Sequence, residues 1–152
     1  MLSYVTRQGK LIPADEAFHA WNSGDLKRML AALDAPTNPV DRHFLLSSIA
    51  AIAYKQRTLS KSRHLCKEIA RRHVREFPTM AAALVADLGV LPRVPTFAVL
   101  ATVLAEDGEY EEAIQVCRSA QALGLHDGTK GDYAGRIERI LKNQARANSR
   151  DA

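Results

Sequence analysis

Cysteine and aromatic side chains are scarce in this chain: two cysteines, one tryptophan and 6% aromatic residues among 152 positions. Cys66 and Cys117 form neither a CxxC pair nor a disulfide framework, which excludes a cysteine-stapled scaffold and a zinc finger. Both sit within apolar helical spacing and read as small core residues. No apolar run approaches the roughly 20 residues of a membrane span. Arg7, Gly9 and Lys10 interrupt the first residues before a signal-peptide core can form, so a cytoplasmic location is expected. Nucleophile, base and orienter sets at recognisable spacing are missing, and with them any expectation of an enzyme, a cofactor or a metal. His64, Cys66 and His73 share part of one helical face, an arrangement that reads as structural. The run D-G-T-K-G at 127–131 has no strand before it and reads as a turn and helix cap rather than a phosphate loop.

Strand-like alternation with a period of two is also absent, whereas apolar residues recur at i, i+3 and i+4 throughout, and the expected class is all-α. At 47% hydrophobic and 25% charged residues, the chain is long enough to bury one sizeable core. Pro13 is expected to start a helix through Phe18 and Trp21, and Asp25 to cap a second through Met29 and Leu33. Asp41 is the expected cap of a third helix through Ile49 and Ala53, and Ser60 that of a fourth ending at Pro78. A short helix over 79–87 follows, then a rigid connector through Pro92 and Pro95. Gly108 divides Phe97–Leu125 into two helices, and Tyr133, Ile137 and Ile140 give a last helix one apolar stripe, with fraying after about Asn143. About eight helices result.

Charge is unevenly placed. Between Lys55 and Glu76 stand eight Lys or Arg and two Glu, a balance of +6 in a chain whose total is +4. A second basic run, Arg136, Arg139, Lys142, Arg146 and Arg150, lies on the last helix, while Glu106, Asp107, Glu109, Glu111 and Glu112 crowd one turn. Arg63, Lys67, Arg71 and Arg75 recur every four residues and so form a ridge on one helix face, with Lys61, His64 and Arg72 beside it. Like charges at i, i+4 repel, and an anionic partner relieves that cost. A solvated face, an acidic protein, nucleic-acid phosphate and the chain's own acids are the competing occupants. Only Tyr54 and Phe77 offer rings near the ridge, and no recognition-helix or zinc pattern supports specific base readout.

Phe97, Leu100-Ala101, Leu104, Gly108, Tyr110, Ala113, Cys117 and Ala120 stand in the order of a tetratricopeptide (TPR) repeat, which this segment resembles. Leu125 occupies the place where that pattern has a terminal proline. Leu46, Ile49-Ala50, Ala53, Leu59, Cys66 and Ile69 resemble an earlier, degenerate copy in which Arg57 replaces the turn glycine and Ser62 a small residue. The resemblance implies a single-domain, right-handed helical-hairpin solenoid. Its parts would be an N-terminal hairpin over 13–34, a degenerate repeat over 42–77, the best repeat over 95–125 and a capping helix over 130–146. It further implies a non-enzymatic interaction module whose groove is lined by the first helix of each hairpin, here by Phe44, Tyr54, Lys55, Ala98, Thr102 and Glu106. The partner-binding residues expected are therefore Tyr54, Lys55 and Thr102 in the groove, with Lys61, Arg63, Lys67, Arg71 and Arg75 on the ridge. The expected partner is a protein or peptide, acidic at the ridge. An electrostatic nucleic-acid-binding regulator is the alternative, a homodimer is open, and a membrane is not expected. Arg57 and His64 also resemble, distantly, the Arg and His pair of small all-α ribonucleases of the HEPN family, although the repeat reading places them across a turn and only Thr58 stands where a polar residue usually follows that Arg.

Overall fold

Gln8 and Gly9 both adopt positive φ, 52° and 80°, the conformation of a two-residue type I′ turn whose twist suits antiparallel strands. The computed structural model, which describes residues 3–151, accordingly opens with a β-hairpin. Strand β1 (Tyr4–Arg7) pairs with β2 (Lys10–Pro13) in the register Tyr4 to Pro13 and Val5 to Ile12. This corrects the all-α expectation to a predominantly helical fold with one small sheet. It also moves Pro13 from a helix start to a strand end. Seven helices follow among the described residues: α1 (Glu16–Ser23), α2 (Leu26–Ala31), α3 (Pro39–Lys55), α4 (Ser60–Leu88), α5 (Pro95–Glu106), α6 (Tyr110–Ala122) and α7 (Asp132–Asp151). The chain divides into two compact units, Met1–Pro92 and Arg93–Ala152.

In the first unit each short helix begins at a polar cap. Asp15 accepts from the Phe18 amide and Asp25 from the Lys27 amide, meeting amides that a helix start leaves unpaired. The cap of α3 is Asn38 rather than the expected Asp41: its Oδ1 accepts from the Asp41 amide, and Pro39 opens the helix. Asp41 is thereby freed for another task. Helix α3 buries residues on several sides, among them Leu45, Leu46, Ile49 and Ala53, because α1, α2 and α4 all pack against it.

Helix α4 differs from expectation at both ends. Ser60 is its first helical residue, and Leu59 precedes it without a side-chain cap bond. Pro78, expected to end the helix, lies within it, so the predicted break before 79–87 does not occur. Proline removes one helix hydrogen bond and costs roughly 3 kcal/mol in a helix interior. Phe77, Met80, Ala83 and Leu84 continue the buried stripe past that point, and burying each large apolar side chain offsets about 1.5–3 kcal/mol.

The second unit holds the segment with repeat-like spacing. Phe97, Leu100, Ala101, Leu104, Ala113, Cys117 and Ala120 are all buried, and α6 packs against α5 on one side and α7 on the other. Gly108, at φ 78°, turns the chain out of α5, and the Glu109 amide closes the turn on the Leu104 carbonyl at 2.8 Å. Leu125 is buried, and its amide donates to the Ala120 carbonyl beyond Gly124 at φ 76°. That is a Schellman closure with its usual apolar contact, which ends α6 without a proline. Helix α7 runs on to Asp151, past the expected fraying point at Asn143.

Candidate functional site

Four arrangements of polar side chains stand out, three in the first unit and one in the second. The ridge of α4 borders an open groove of about 660 Å³ lined by His64, Lys67, Glu68, Arg71, Arg72 and Arg75. Five of these six carry a basic or imidazole group. Lys61, His64 and Arg75 are exposed, and Arg63, Lys67 and Arg71 are half-buried. Arg72 is drawn to one side by Glu76, 3.4 Å away, and by Asp34 at 3.2 Å. Glu76 also accepts from Nε and Nη2 of Arg42. Burial pushes the Glu76 carboxyl upward, but Arg42 and then Arg72 hold it below the ordinary carboxylate value. The Arg42 guanidinium additionally donates to the Leu33 carbonyl, so this network ties the loop after α2 to α3 and α4.

Tyr54 and Lys55 lie at the end of α3. The Arg57 guanidinium stands 4.0 Å over the Tyr54 ring, a cation–π arrangement, and Arg63 donates to the Arg57 carbonyl at 3.5 Å. Phe44, expected in the groove, stacks on Trp21 with ring centroids 4.8 Å apart. Arg57 lies in the turn after α3, and His64 is exposed on α4.

The first unit also holds two buried polar centres that the spacing did not reveal. Asp41, 1% exposed, receives Nε and Nη2 of Arg7 at 3.2 and 2.8 Å, Nε1 of Trp21 at 3.0 Å and Nδ2 of Asn38 at 2.6 Å. Burial disfavours its charge, yet the bonds from Arg7, Asn38 and Trp21 together keep its carboxyl below the ordinary value. The second centre is His43 Nδ1 against His73 Nε2 at 2.9 Å, with both rings buried beside Phe77. Burial lowers His43 to about 4. Burial first, then His43 and Arg42, lowers His73 to about 3. The two imidazoles are neutral at physiological pH, one donating and the other accepting. His73 thus pairs with a histidine of α3, not with His64, and Cys66 is buried with its thiol 3.8 Å from the Ala50 carbonyl. Only folding reveals the pair, because 30 positions separate its members.

In the second unit, Thr102 Oγ1 donates to the Ala98 carbonyl at 2.8 Å and accepts from Arg136 Nη1 at 3.1 Å. Arg136 Nε donates to Asp127 Oδ2 at 3.1 Å. Thr102 and Arg136 line a groove of about 250 Å³ with Ala101, Ala105, Glu106, Arg139, Ile140 and Asn143. His126, Asp127 and Asp132 bring ligand-type atoms within 4.8 Å of one another, but their bonds build the turn before α7. Asp127 accepts from the Thr129 amide and hydroxyl as well as Arg136, Asp132 accepts from the Asp127 amide, and His126 Nδ1 accepts from the Gly128 amide. Burial raises the Cys117 thiol to about 11, which leaves it an unreactive core group.

Compared with protein-family models, curated proteins and solved structures, the chain matches none of them. Among the described residues no helix is long and apolar enough to cross a membrane.

Proposed function

We propose that this protein is a non-enzymatic, TPR-like interaction module that binds an acidic segment of a partner protein along the α4 ridge. The observation that carries the reading is the lining of the α4 groove, where His64, Lys67, Arg71, Arg72 and Arg75 stand with one acid, Glu68, and Arg72 is drawn aside by Glu76 and Asp34. Such a concentration of one sign steers and holds an oppositely charged partner. The repeat part of the reading draws support from the α5–α6 hairpin, whose small residues Ala101, Ala113 and Ala120 are buried where two helix axes approach. The α3–α4 pair offers the weaker likeness, since Ala50, Ala53, Cys66 and Ile69 are buried but Leu59 is 60% exposed.

The test is a fluorescence-anisotropy titration with a labelled glutamate-rich peptide and with generic RNA and DNA, at low and physiological salt. The proposal expects peptide binding that weakens about tenfold or more in the double reversal Lys61→Glu/Arg75→Glu, whose sites are exposed and whose fold is checked by circular dichroism. Nucleic-acid binding with a steep salt dependence and no peptide binding would replace it with the electrostatic-regulator alternative. Binding of neither probe refutes both.

A further inference from the structure

Arg136 is an unusual side chain for a module surface, because most of it is covered, at 19% exposure, and two of its contacts fix its orientation. Asp127 takes the Nε edge and Thr102 takes one Nη1 hydrogen. A guanidinium has five N–H donors, so three remain, and no other described residue accepts from them. Held this way, the fork has already lost the rotamer freedom that a flexible arginine gives up on binding. Arg139 and Asn143, three and seven positions further along α7, continue the same face over about 10 Å. Opposite them α5 presents Ala101 and Ala105, side chains small enough to leave the groove open.

The lining is rich in donors and poor in acceptors. Glu106 is the one acid among the lining residues, beside two arginines, an asparagine and Thr102. At about 250 Å³ the groove lies below the roughly 300–1,000 Å³ range of small-molecule and cofactor pockets. The space suits a side chain or two of a peptide. We infer that the α5–α7 groove is a carboxylate-binding site for an acidic peptide segment, with Arg136 and Arg139 taking an Asp or Glu carboxylate and Asn143 donating to the peptide backbone. Carboxylates accept without donating, and charge-assisted bonds to them are the strong ones. The site is separate in residues from the α4 ridge and extends the interaction reading to the second unit.

The probe is a fluorescein-labelled hexapeptide, Gly-Ser-Glu-Glu-Ser-Gly with a blocked C-terminus, titrated into the full-length protein alongside a twin carrying glutamine for glutamate. In the Lys61→Glu/Arg75→Glu background, where the α4 ridge no longer competes for the probe, Arg139→Glu and the milder Arg139→Gln are expected to raise the dissociation constant about tenfold or more. Lys142→Glu changes the charge of α7 as much as Arg139→Glu but alters no lining residue, so it should act less than about threefold. The glutamine twin should bind as poorly as Arg139→Glu leaves the parent peptide. Equal weakening by Arg139→Glu and Lys142→Glu, or equal binding of the two peptides, overturns the assignment. So does displacement of the peptide by an equal concentration of inorganic phosphate, which would mark a generic oxyanion site. If Lys61→Glu/Arg75→Glu removes all binding and Arg139→Glu removes none, this inference fails while the α4 reading stands. The opposite pattern upholds this inference and overturns that reading.

Discussion

Acidification from pH 8 to pH 5 is expected to destabilise the first unit through the His43–His73 pair. A nitrogen-to-nitrogen hydrogen bond of 2.9 Å requires one bare nitrogen, so charging both rings would set two N–H groups against each other in a buried site. Burial, the larger cause, holds the folded pair neutral down to about pH 4 at His43 and about pH 3 at His73, while the unfolded chain takes up protons from about pH 6.5. Since the unfolded state binds more protons, stability falls as pH drops below 6.5. The slope is about 1.4 kcal/mol per pH unit for each ring, which gives about 2 kcal/mol per histidine and about 4 kcal/mol for the pair by pH 5. The lowered carboxyl of Asp41 adds its loss only near pH 4 and below, outside this window. Trp21, which lies in the same unit and stacks on Phe44, reports the transition by fluorescence. With a slope of about 2 kcal/mol per molar urea, the midpoint should fall by about 2 M. His43→Leu/His73→Leu should flatten this dependence whatever its absolute stability. A wild-type midpoint that barely moves between pH 8 and pH 5, or an equal fall in the double variant, would refute the reasoning.

Asp41→Ala leaves Arg7, Trp21 and Asn38 without their shared acceptor and should cost about 3 kcal/mol, the lower end for breaking a buried ion pair because Arg7 keeps some contact with solvent; urea unfolding at pH 7 read through Trp21 checks it, and a loss under about 1 kcal/mol contradicts it. Tyr133 is buried, and its hydroxyl has no hydrogen-bond partner among the described residues. Tyr133→Phe should accordingly leave the second unit as stable or raise its stability by about 1 kcal/mol, measured by thermal denaturation, and a clear destabilisation would show that the hydroxyl has a favourable role.

The features legible in the sequence were those set by neighbouring residues. Phe97, Ala101, Ala113 and Cys117 announce a close-packed hairpin because their spacing encodes a face, and Gly108 marks its turn. Asp25 announces a cap for the same local reason. The first hairpin was missed because its strands span four residues each and its Gln-Gly turn carries a weaker signal than Asn-Gly. Pro78 misled because its local cost was outweighed by burial further along α4. The buried centres were missed for a different reason: Arg7 meets Asp41 across 34 positions and His43 meets His73 across 30, distances at which no periodicity operates. At the candidate surfaces, the ridge of charge could be read directly from i, i+4 spacing. The orientation of Arg136 could not, since it depends on Asp127 and Thr102 arriving from two other segments.

One long-range bond bears on how the chain is made. The Gln8 amide donates to Asp87 Oδ1 across 79 positions at 2.8 Å. At a synthesis rate of about 5–20 residues per second, Asp87 follows Gln8 out of the ribosome by about 4–16 s, whereas Asp41 reaches Arg7 in roughly half that time. The β-hairpin can therefore dock onto the start of α3 well before the end of α4 exists, and the nascent unit acquires its last fastening only when the far turn of that helix has been translated.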